Sequence, residues 1–283
     1  MTICILTPAP GYYEDWSVPK GHYEKLLGPD LAFRPWTDPG DLFAFDLILP
    51  LLAWGYQRDC AAWFALLERL ASEQLPVANP VEILRWNTDK SYLLDLEKNG
   101  VPIVPTQLTQ SLNQSDVQDA RRIFGCERLV VKPPISGGAD GTYLIDTDQD
   151  LPEAARGKQM LIQPYLPAIA DEGEYSLFLF GGEYSHAIVK RPSTGDFRVQ
   201  EQFGGREQTI EPAQEARALA VAALEAACKI TKVERLTYAR VDMIREPSGH
   251  LALMELELIE PSLFLHHSGD DGAALVRAIR AAA

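Results

Sequence analysis

Three carboxylates and one guanidinium near the C-terminal end could do chemistry together. In the segment 236–243 (LTYARVDM), Tyr238, Arg240 and Asp242 share one face of a strand, because side chains alternate along extended chain. In 253–260 (LMELELIE), Glu255 and Glu257 share a face, and Met254, Leu256 and Leu258 take the other. If Ser248-Gly249 is a two-residue turn, Asp242 faces Glu255 and Arg240 faces Glu257. Directly opposed residues lie about 5 Å apart, so the four groups would form one patch. A slip of one residue would set the acids against apolar neighbours, so pattern and turn agree. Clustered carboxylates repel, and a hard divalent cation held by one or two of them plus phosphate oxygens would offset that. The alternative is a solvated strand face of mixed charge.

Lys132 ends an apolar strand, 128–133, just before the glycine-rich SGGADG (136–141). Glycines let backbone N–H groups approach phosphate, and a lysine beside them adds charge; a plain hairpin loop has the same look. Neither the Walker A spacing nor the dinucleotide-binding Gly-x-Gly-x2-Gly is present. Lys90 stands near a helix start, where the helix dipole favours anions instead. Gln163-Pro164-Tyr165-Leu166 reads either as an apolar connector suited to an adenine edge or as an ordinary linker. Trp54, Tyr56 and Arg58 follow a strand's C-terminal end, where α/β ligands bind, or are simply packing. His22, His186, His250, His266 and His267 lack metal-ligand spacing, and His266-His267 reads as a surface pair. Cys4, Cys60, Cys126 and Cys228 form no CxxC or Cys/His cluster and read as reduced core thiols.

The elements that position these groups fall into three lobes. Strands over 2–7 and 46–53, a weaker one at 31–36 and a helix over 58–73 make a small α/β lobe that ends near Val77-Ala78-Asn79-Pro80. In the helix, Cys60, Trp63, Phe64, Leu67 and Leu70 share one side. A second lobe begins around Asn87 with a helix capped by Thr88 or Asp89, running to Lys98 and closed by Asn99-Gly100. Another helix near 115–124 opens with a Ser115/Gln118 capping box and stops at Gly125; strands over 128–133 and 142–146 flank the glycine turn. The third lobe is strand-rich. Segments 174–180 and 183–190 form a hairpin about Gly181-Gly182, 212–229 is an amphipathic helix, and 236–244 and 251–259 carry the acids.

The bulk properties set limits. The 283 residues, 46% hydrophobic, suffice for such lobes with cores of their own. Twenty-six basic against 40 acidic residues leave a net charge of −14, which argues against a non-specific nucleic-acid binder and disfavours an anionic membrane surface. No apolar run approaches the ~20 residues of a membrane span, and MTICILTPAP lacks the features of a signal peptide. A cytoplasmic protein is expected.

Six segments, in this order, resemble the ATP-grasp superfamily. They are NTDKSYLLDLEKNGVPIVPT (87–106), VVKPPISGGADGTYLI (130–145), LIQPYLPAIADEGEYSLFLFGGE (161–183), KRPSTGDFRVQEQFGGR (190–206), ARVD (239–242) and ELELIEP (255–261). The pattern is similar to the branch of prokaryotic glutathione synthetase and the O-ureidoserine cyclo-ligase of cycloserine biosynthesis, most of all around RWNTDKSYLLDL (85–96). The resemblance implies an α/β chain, α+β in its C-terminal lobes. An N-terminal Rossmann-like substrate-side lobe (1–86) would precede two ATP-grasp lobes (87–165 and 166–283). It further implies that Lys90 and Lys132 contact ATP phosphates, with Ser136, Gly137 and Gly138 in a closing loop. Gln163, Pro164 and Leu166 would meet adenine through the Pro164 carbonyl and Leu166 N–H, and Glu174 would hold the ribose. Asp242, Glu255 and Glu257 would bind Mg2+ or Mn2+; many relatives carry asparagine where Glu257 stands. Arg240 would stabilise transition-state charge, and Lys190, Arg198 and Gly204-Gly205 would handle phosphate or substrate. The implied activity is ATP-dependent, ADP-forming ligation of a small amino-acid-like carboxylate to an amine through an acyl phosphate. The alternatives are an intramolecular cyclo-ligase and a nucleotide sensor without turnover. The expected partners are a small-molecule carboxylate and a nucleophile, neither nucleic acid nor membrane, with a homo-oligomer left open.

Overall fold

The computed structural model describes residues 1–283 except Asp148 and Thr194, and leaves aside the side chain of Glu201. Strand β1 (Ile3–Thr7) leads through helix α1 (Ser17–Leu27) to β2 (Leu31–Pro35) and then β3 (Leu47–Leu49). The three pair in parallel in the order β2-β1-β3. Helices α2 (Cys60–Ser72) and α3 (Val81–Asn87) follow. Alternation along β1 decides the packing: Ile3 and Ile5 join one hydrophobic cluster, and Cys4 and Leu6 join the other with Trp63, Leu67 and Leu70 of α2. Both faces are covered, as a parallel sheet requires. Helix α3 is not anticipated by the sequence, where Pro80 reads as a boundary; a proline opens a helix without loss because its missing N–H would lack a partner there anyway.

Helix α4 covers Tyr92–Lys98, three residues shorter at its start than the sequence suggests. Thr88 closes α3, donating to the Leu84 carbonyl, and Asp89 caps a tight link by accepting from Ser91 N–H at 2.8 Å. Lys90 therefore sits between two helices. The middle sheet contains β4 (Gln107–Thr109), then, after α5 (Gln114–Phe124), β5 (Leu129–Lys132), β6 (Tyr143–Ile145) and β7 (Met160–Pro164), in the order β4-β7-β5-β6. The capping box of α5 is Asn113 with Asp116, not Ser115 with Gln118, because the asparagine, two residues earlier, accepts from the backbone N–H groups of Ser115 and Asp116. Gly125 ends the helix at φ 63°, as expected. Gln163 and Pro164 belong to β7 rather than to a connector; Pro164 is tolerated as its last residue.

A short helix α6 (Ala168–Asp171) leads into β8 (Glu174–Phe180) and β9 (Glu183–Arg191), joined by Gly181-Gly182, both at positive φ as the tight hairpin needs. Then come β10 (Arg206–Thr209), α7 (Gln214–Thr231), β11 (Tyr238–Arg245), β12 (Leu251–Glu257) and α8 (Ala273–Ala282). The antiparallel order is β10-β9-β8-β11-β12. One face packs on α7 together with Tyr92, Leu93 and Leu96 of α4. The other carries Phe178, Phe180 and Tyr238 against the N-terminal sheet, with Leu275 and Ile279 of α8 completing that cluster. The four cysteines are free, and Cys4 is buried, its thiol pushed up to about 12 by burial. His266 and His267 are not a bare surface pair. The His267 ring lies 2.6 Å from Thr209 Oγ1, and with Glu207 the two form a cluster whose ligand atoms lie within 4.8 Å of one another. Among the described residues no helix is long and apolar enough to cross a membrane.

Candidate active site

The two C-terminal strands meet the expected register by an unexpected route. Arg240 pairs with Glu257 and Asp242 with Glu255. The turn, however, is not two residues: Arg245 pairs with Leu251, and Glu246 N–H donates to the His250 carbonyl at 2.8 Å. That arrangement shifts the register by one, and a bulge at Met254 shifts it back. Met254 consequently leaves the apolar face assigned to it and lines the cleft next to Glu255. Leu253 and Leu256 point into the core.

Strand β12 is the last in its sheet, and side chains from earlier in the chain pair with its outer edge. Asn87 donates to the Leu256 carbonyl at 2.7 Å and accepts from Leu258 N–H at 3.0 Å. The Tyr92 hydroxyl donates to the Leu256 carbonyl and accepts from its N–H. Leu253 exchanges backbone bonds with Pro102 and Val104. The acids are thus held on a strand with little freedom to move.

The strand face opens into a cleft of about 950 Å³ bordered by the middle and C-terminal sheets and, from the N-terminal lobe, by α1 and the loops around Tyr12 and Trp54. Arg240, nine-tenths buried, donates to both Asp242 oxygens at 2.9–3.1 Å, contacts Glu257, and reaches the Ser262 carbonyl at 3.3 Å. Burial alone would raise the Asp242 carboxyl, but Arg240 and Lys190 outweigh it and hold it down at about 2. The Ser176 hydroxyl also donates to Asp242. Glu257 goes the other way: burial and the neighbouring Glu255 and Asp242 carboxylates push it up to about 7 despite Arg240.

Three lysines surround the acids. Lys90 pairs with Glu255 at 3.3 Å and donates to the Ser136 carbonyl. Lys132 is buried at the end of β5, and burial, reinforced by Lys90 and opposed by Glu255, lowers its pKa. Lys190 pairs with Glu174 and lies 3.6 Å from Asp242. Burial raises Glu174 against the pull of Lys190. The strand carrying Glu174 runs tight against β9: a Cβ on Gly173 would fall 2.4 Å from the Lys190 carbonyl.

The glycine-rich turn lies over the cleft. Ser136 is buried, Gly137 abuts the Gln57 side chain, and the Gly138 carbonyl is 3.5 Å from Gln202 Nε2. Gln163 is fixed by donating to Thr106 Oγ1 at 2.8 Å, and among the described residues Leu166 N–H has no protein acceptor although the residue lines the cleft. Arg198 also lines the cleft but is held by Asp196 at 2.8–3.0 Å and lies over the Phe203 ring, away from the acids. Gly205 has no room for a side chain, since a Cβ would meet the Val199 carbonyl at 1.9 Å.

Residues 88–261 match the RimK-like ATP-grasp domain, and residues 11–79 match the N-terminal domain of D-cycloserine synthetase DcsG. The chain belongs to the RimK-like ATP-grasp family. It is 30% identical, over 90% of its length and 89% of the relative's, to the cycloserine biosynthesis protein DcsG of Streptomyces lavendulae. A probable alpha-L-glutamate ligase of Klebsiella pneumoniae (strain 342) is 28% identical over 74% of this chain and 67% of its own. In structure the chain is similar to crystalline D-cycloserine synthetase DcsG, with TM-score 0.86, 26% identity and full coverage of both chains. At 19% identity and TM-score 0.70, D-alanine–D-alanine ligase from Bacillus anthracis shares the fold over 100% of this chain and 97% of its own. This ATP-grasp protein is therefore an ATP-dependent, ADP-forming ligase that makes C–N bonds.

The sequence does not point to Met254, Asn87 and Tyr92 as lining this cleft, or to Ser176 as the donor to Asp242. The signal for Asn87 and Tyr92 was present: polar atoms at positions otherwise filled by the core, which must find backbone partners when buried. Glu257 also has a consequence for stability. A carboxyl raised in the folded state binds its proton more tightly than in the unfolded chain, so stability falls as pH rises from the ordinary glutamate range through about 7. The melting temperature of the ligand-free protein is expected to drop between pH 5 and 8, and Glu257→Gln to flatten that slope. An unchanged slope in the variant would show that Glu257 titrates normally.

Proposed function

We propose that the chain is a carboxylate–amine ligase that activates a small amino-acid-like carboxylate as an acyl phosphate. The observation that carries this reading is Arg240 fixed between Asp242 and Glu257, with Lys90, Lys132 and Lys190 converging on the same acids. Fit to the implied ligands is supported on two counts. Leu166 N–H offers an unused donor at the adenine position, beside the Pro164 carbonyl. Asp242, Glu255 and Glu257 offer hard oxygen donors on one strand face, and burial with the neighbouring carboxylates keeps Glu257 raised despite Arg240. Their carboxylate oxygens do not converge within 4.8 Å of one another; Lys90 and Arg240 lie among them.

Asp242, Glu255 and Glu257 would hold Mg2+ or Mn2+ as hard oxygen ligands. Lys90 and Lys132, with Ser136, Gly137 and Gly138 above them, would hold the ATP phosphates; Gln163, Pro164 and Leu166 would border the adenine, and Glu174 the ribose. Mg-ATP supplies the phosphoryl group that turns a carboxylate into an acyl phosphate. Arg240 stabilises the anion that develops at the acyl carbon, and it acts by fixed charge because it cannot give up a proton here. Lys190 neutralises Glu174 and Asp242, and Arg198 stands at the far rim as a contact for phosphate or substrate. The 136–141 turn excludes water that would hydrolyse the activated acid.

A second reading is intramolecular: the match of residues 11–79 to the DcsG N-terminal domain and the likeness to a protein of cycloserine biosynthesis favour a cyclo-ligase of the O-ureidoserine type. ADP release from ATP is expected to require both Mg2+ and an added carboxylate, and EDTA to abolish it. Asp242→Asn and Glu255→Gln are expected to lower the rate at least ~100-fold each. Full activity in both would end the metal assignment. Product mass separates the readings: joined substrates for a ligase, one substrate less one water for a cyclo-ligase.

A further inference from the structure

The β10 side of the cleft carries a side-chain cluster that the ligation chemistry leaves unused. Strand β10 extends the acid-bearing sheet beyond β9, with Glu207 opposite Lys190 and Thr209 opposite Ile188. Alternation therefore puts Glu207 and Thr209 on one face, the face that carries Lys190. Over that face runs the short turn Leu265–His267. It is braced by His267 N–H on the Phe264 carbonyl at 2.9 Å and by Ser268 N–H on the Leu265 carbonyl at 3.0 Å. The turn sets His266 and His267 side by side, ring centroids 4.2 Å apart. One nitrogen from each ring and a Glu207 oxygen all lie within 4.8 Å of one another, and His266 Nε2 is 3.9 Å from Glu207 Oε1. His267 Nδ1 lies 2.6 Å from Thr209 Oγ1, while its Nε2 is buried and has no hydrogen-bond partner among the described residues.

Two imidazoles and one carboxylate are the donor set of a borderline divalent ion, and the hard-oxygen preference of Mg2+ disfavours it here. Proton sharing within the cluster accounts for only part of the arrangement. A proton on His266 would satisfy Glu207 at the surface but does nothing for the buried His267 Nε2. When Nδ1–H of His267 donates to Thr209 Oγ1, the lone pair stands on Nε2, the nitrogen that lacks a partner. An outer hydrogen bond that fixes the ring in this way is the usual support of a metal-bound histidine. Ligand atoms around Zn2+ lie about 3.4 Å apart for bonds of ~2.1 Å, so the three groups need to close by roughly 1 Å. The His266 side chain, 57% exposed, has the freedom to do so. We propose that Glu207, His266 and His267 bind a divalent ion of the Zn2+, Co2+ or Ni2+ kind, with Thr209 orienting His267. The site shares no residue with the acids of β11 and β12, and it stands whether or not the ligase reading does. Glu207 and His266 also line the cleft, so the ion's remaining coordination position opens toward it.

The test uses the untagged full-length protein in excess Mg2+, which competes for the acids, and reads metal binding without turnover. Equilibrium dialysis with Zn2+ gives stoichiometry and affinity, the visible absorption of bound Co2+ reports its nitrogen ligands, and thermal melting gives the gain in stability. The unmodified protein is expected to hold one Zn2+ per chain and to melt higher with it. His266→Ala and Glu207→Gln should each weaken Zn2+ by ~100-fold or more, and Thr209→Val by roughly 10-fold, as loss of a ligand and of an outer partner. Glu255→Gln should leave the Zn2+ affinity in place. His267→Gln serves if His266→Ala or Glu207→Gln melts early without metal. No Zn2+ retained in excess Mg2+, undiminished affinity in the cluster variants, or loss of Zn2+ in Glu255→Gln overturns the inference.

Discussion

Arg240→Met is expected to reduce ADP formation by ~1000-fold or more and to cost about 3–5 kcal/mol of stability. Both effects follow from one geometry. The guanidinium is nine-tenths buried and bridges Asp242 and Glu257, so its removal leaves the buried Asp242 carboxylate without its main partner and next to a second negative charge. Methionine fills much of the volume, so the loss reflects charge rather than a cavity. Lys190, 3.6 Å from Asp242, offsets part of the repulsion but cannot supply the planar fork that meets both Asp242 oxygens. Adding Asp242→Asn to Arg240→Met should recover part of the stability and none of the activity. Thermal melting and single-turnover ADP formation on the single and double variants check this; wild-type rates in Arg240→Met would remove the arginine from the mechanism.

Asn79→Ala is expected to cost about 3 kcal/mol and roughly 5–10 °C of melting temperature, though Asn79 touches no substrate-facing atom. The residue is fully buried between the N-terminal lobe and the third sheet. It donates to the carbonyls of Tyr238 and Leu258 at 2.9 Å each and accepts from Thr237 N–H at 2.7 Å. One amide thus ties the start of β11 and the end of β12 to the lobe that precedes them by about 160 residues or more. Alanine leaves three backbone groups dry and unpaired. Asn79→Asp keeps the acceptor but turns a charge toward two carbonyls, and should be at least as damaging. A melting temperature within 2 °C of wild type for Asn79→Ala would mean that water replaces the side chain.

What was legible in the sequence were features with local causes. The Gly181-Gly182 hairpin, the stop at Gly125 and the alternation of Glu255 and Glu257 each rest on neighbours a few residues apart. The pairing of Asp242 with Glu255 was also legible, but for an incomplete reason, because a longer turn and a bulge cancel. Whatever depends on distant partners could not be read. The polar atoms of Asn87 and Tyr92 at core positions call for backbone partners, but nothing near them or near Asn79 says which strand edges supply these some 160–180 residues on. Arg198 illustrates the converse: its residue type fits an anion contact, yet Asp196, two residues away, holds its fork.

The pairing of Asn87 and Tyr92 with β12 also bears on whether the edge of that sheet can recruit another chain. A terminal strand with free N–H and C=O groups is a template on which another chain can add a strand. Here the outer groups of Leu253, Leu256 and Leu258 are already taken by side chains and by the 102–104 segment. A variant that loses Asn87 would therefore do more than loosen the acids. It would open a growth edge, and its failure should depend on protein concentration, with β-rich assemblies forming before the monomer unfolds.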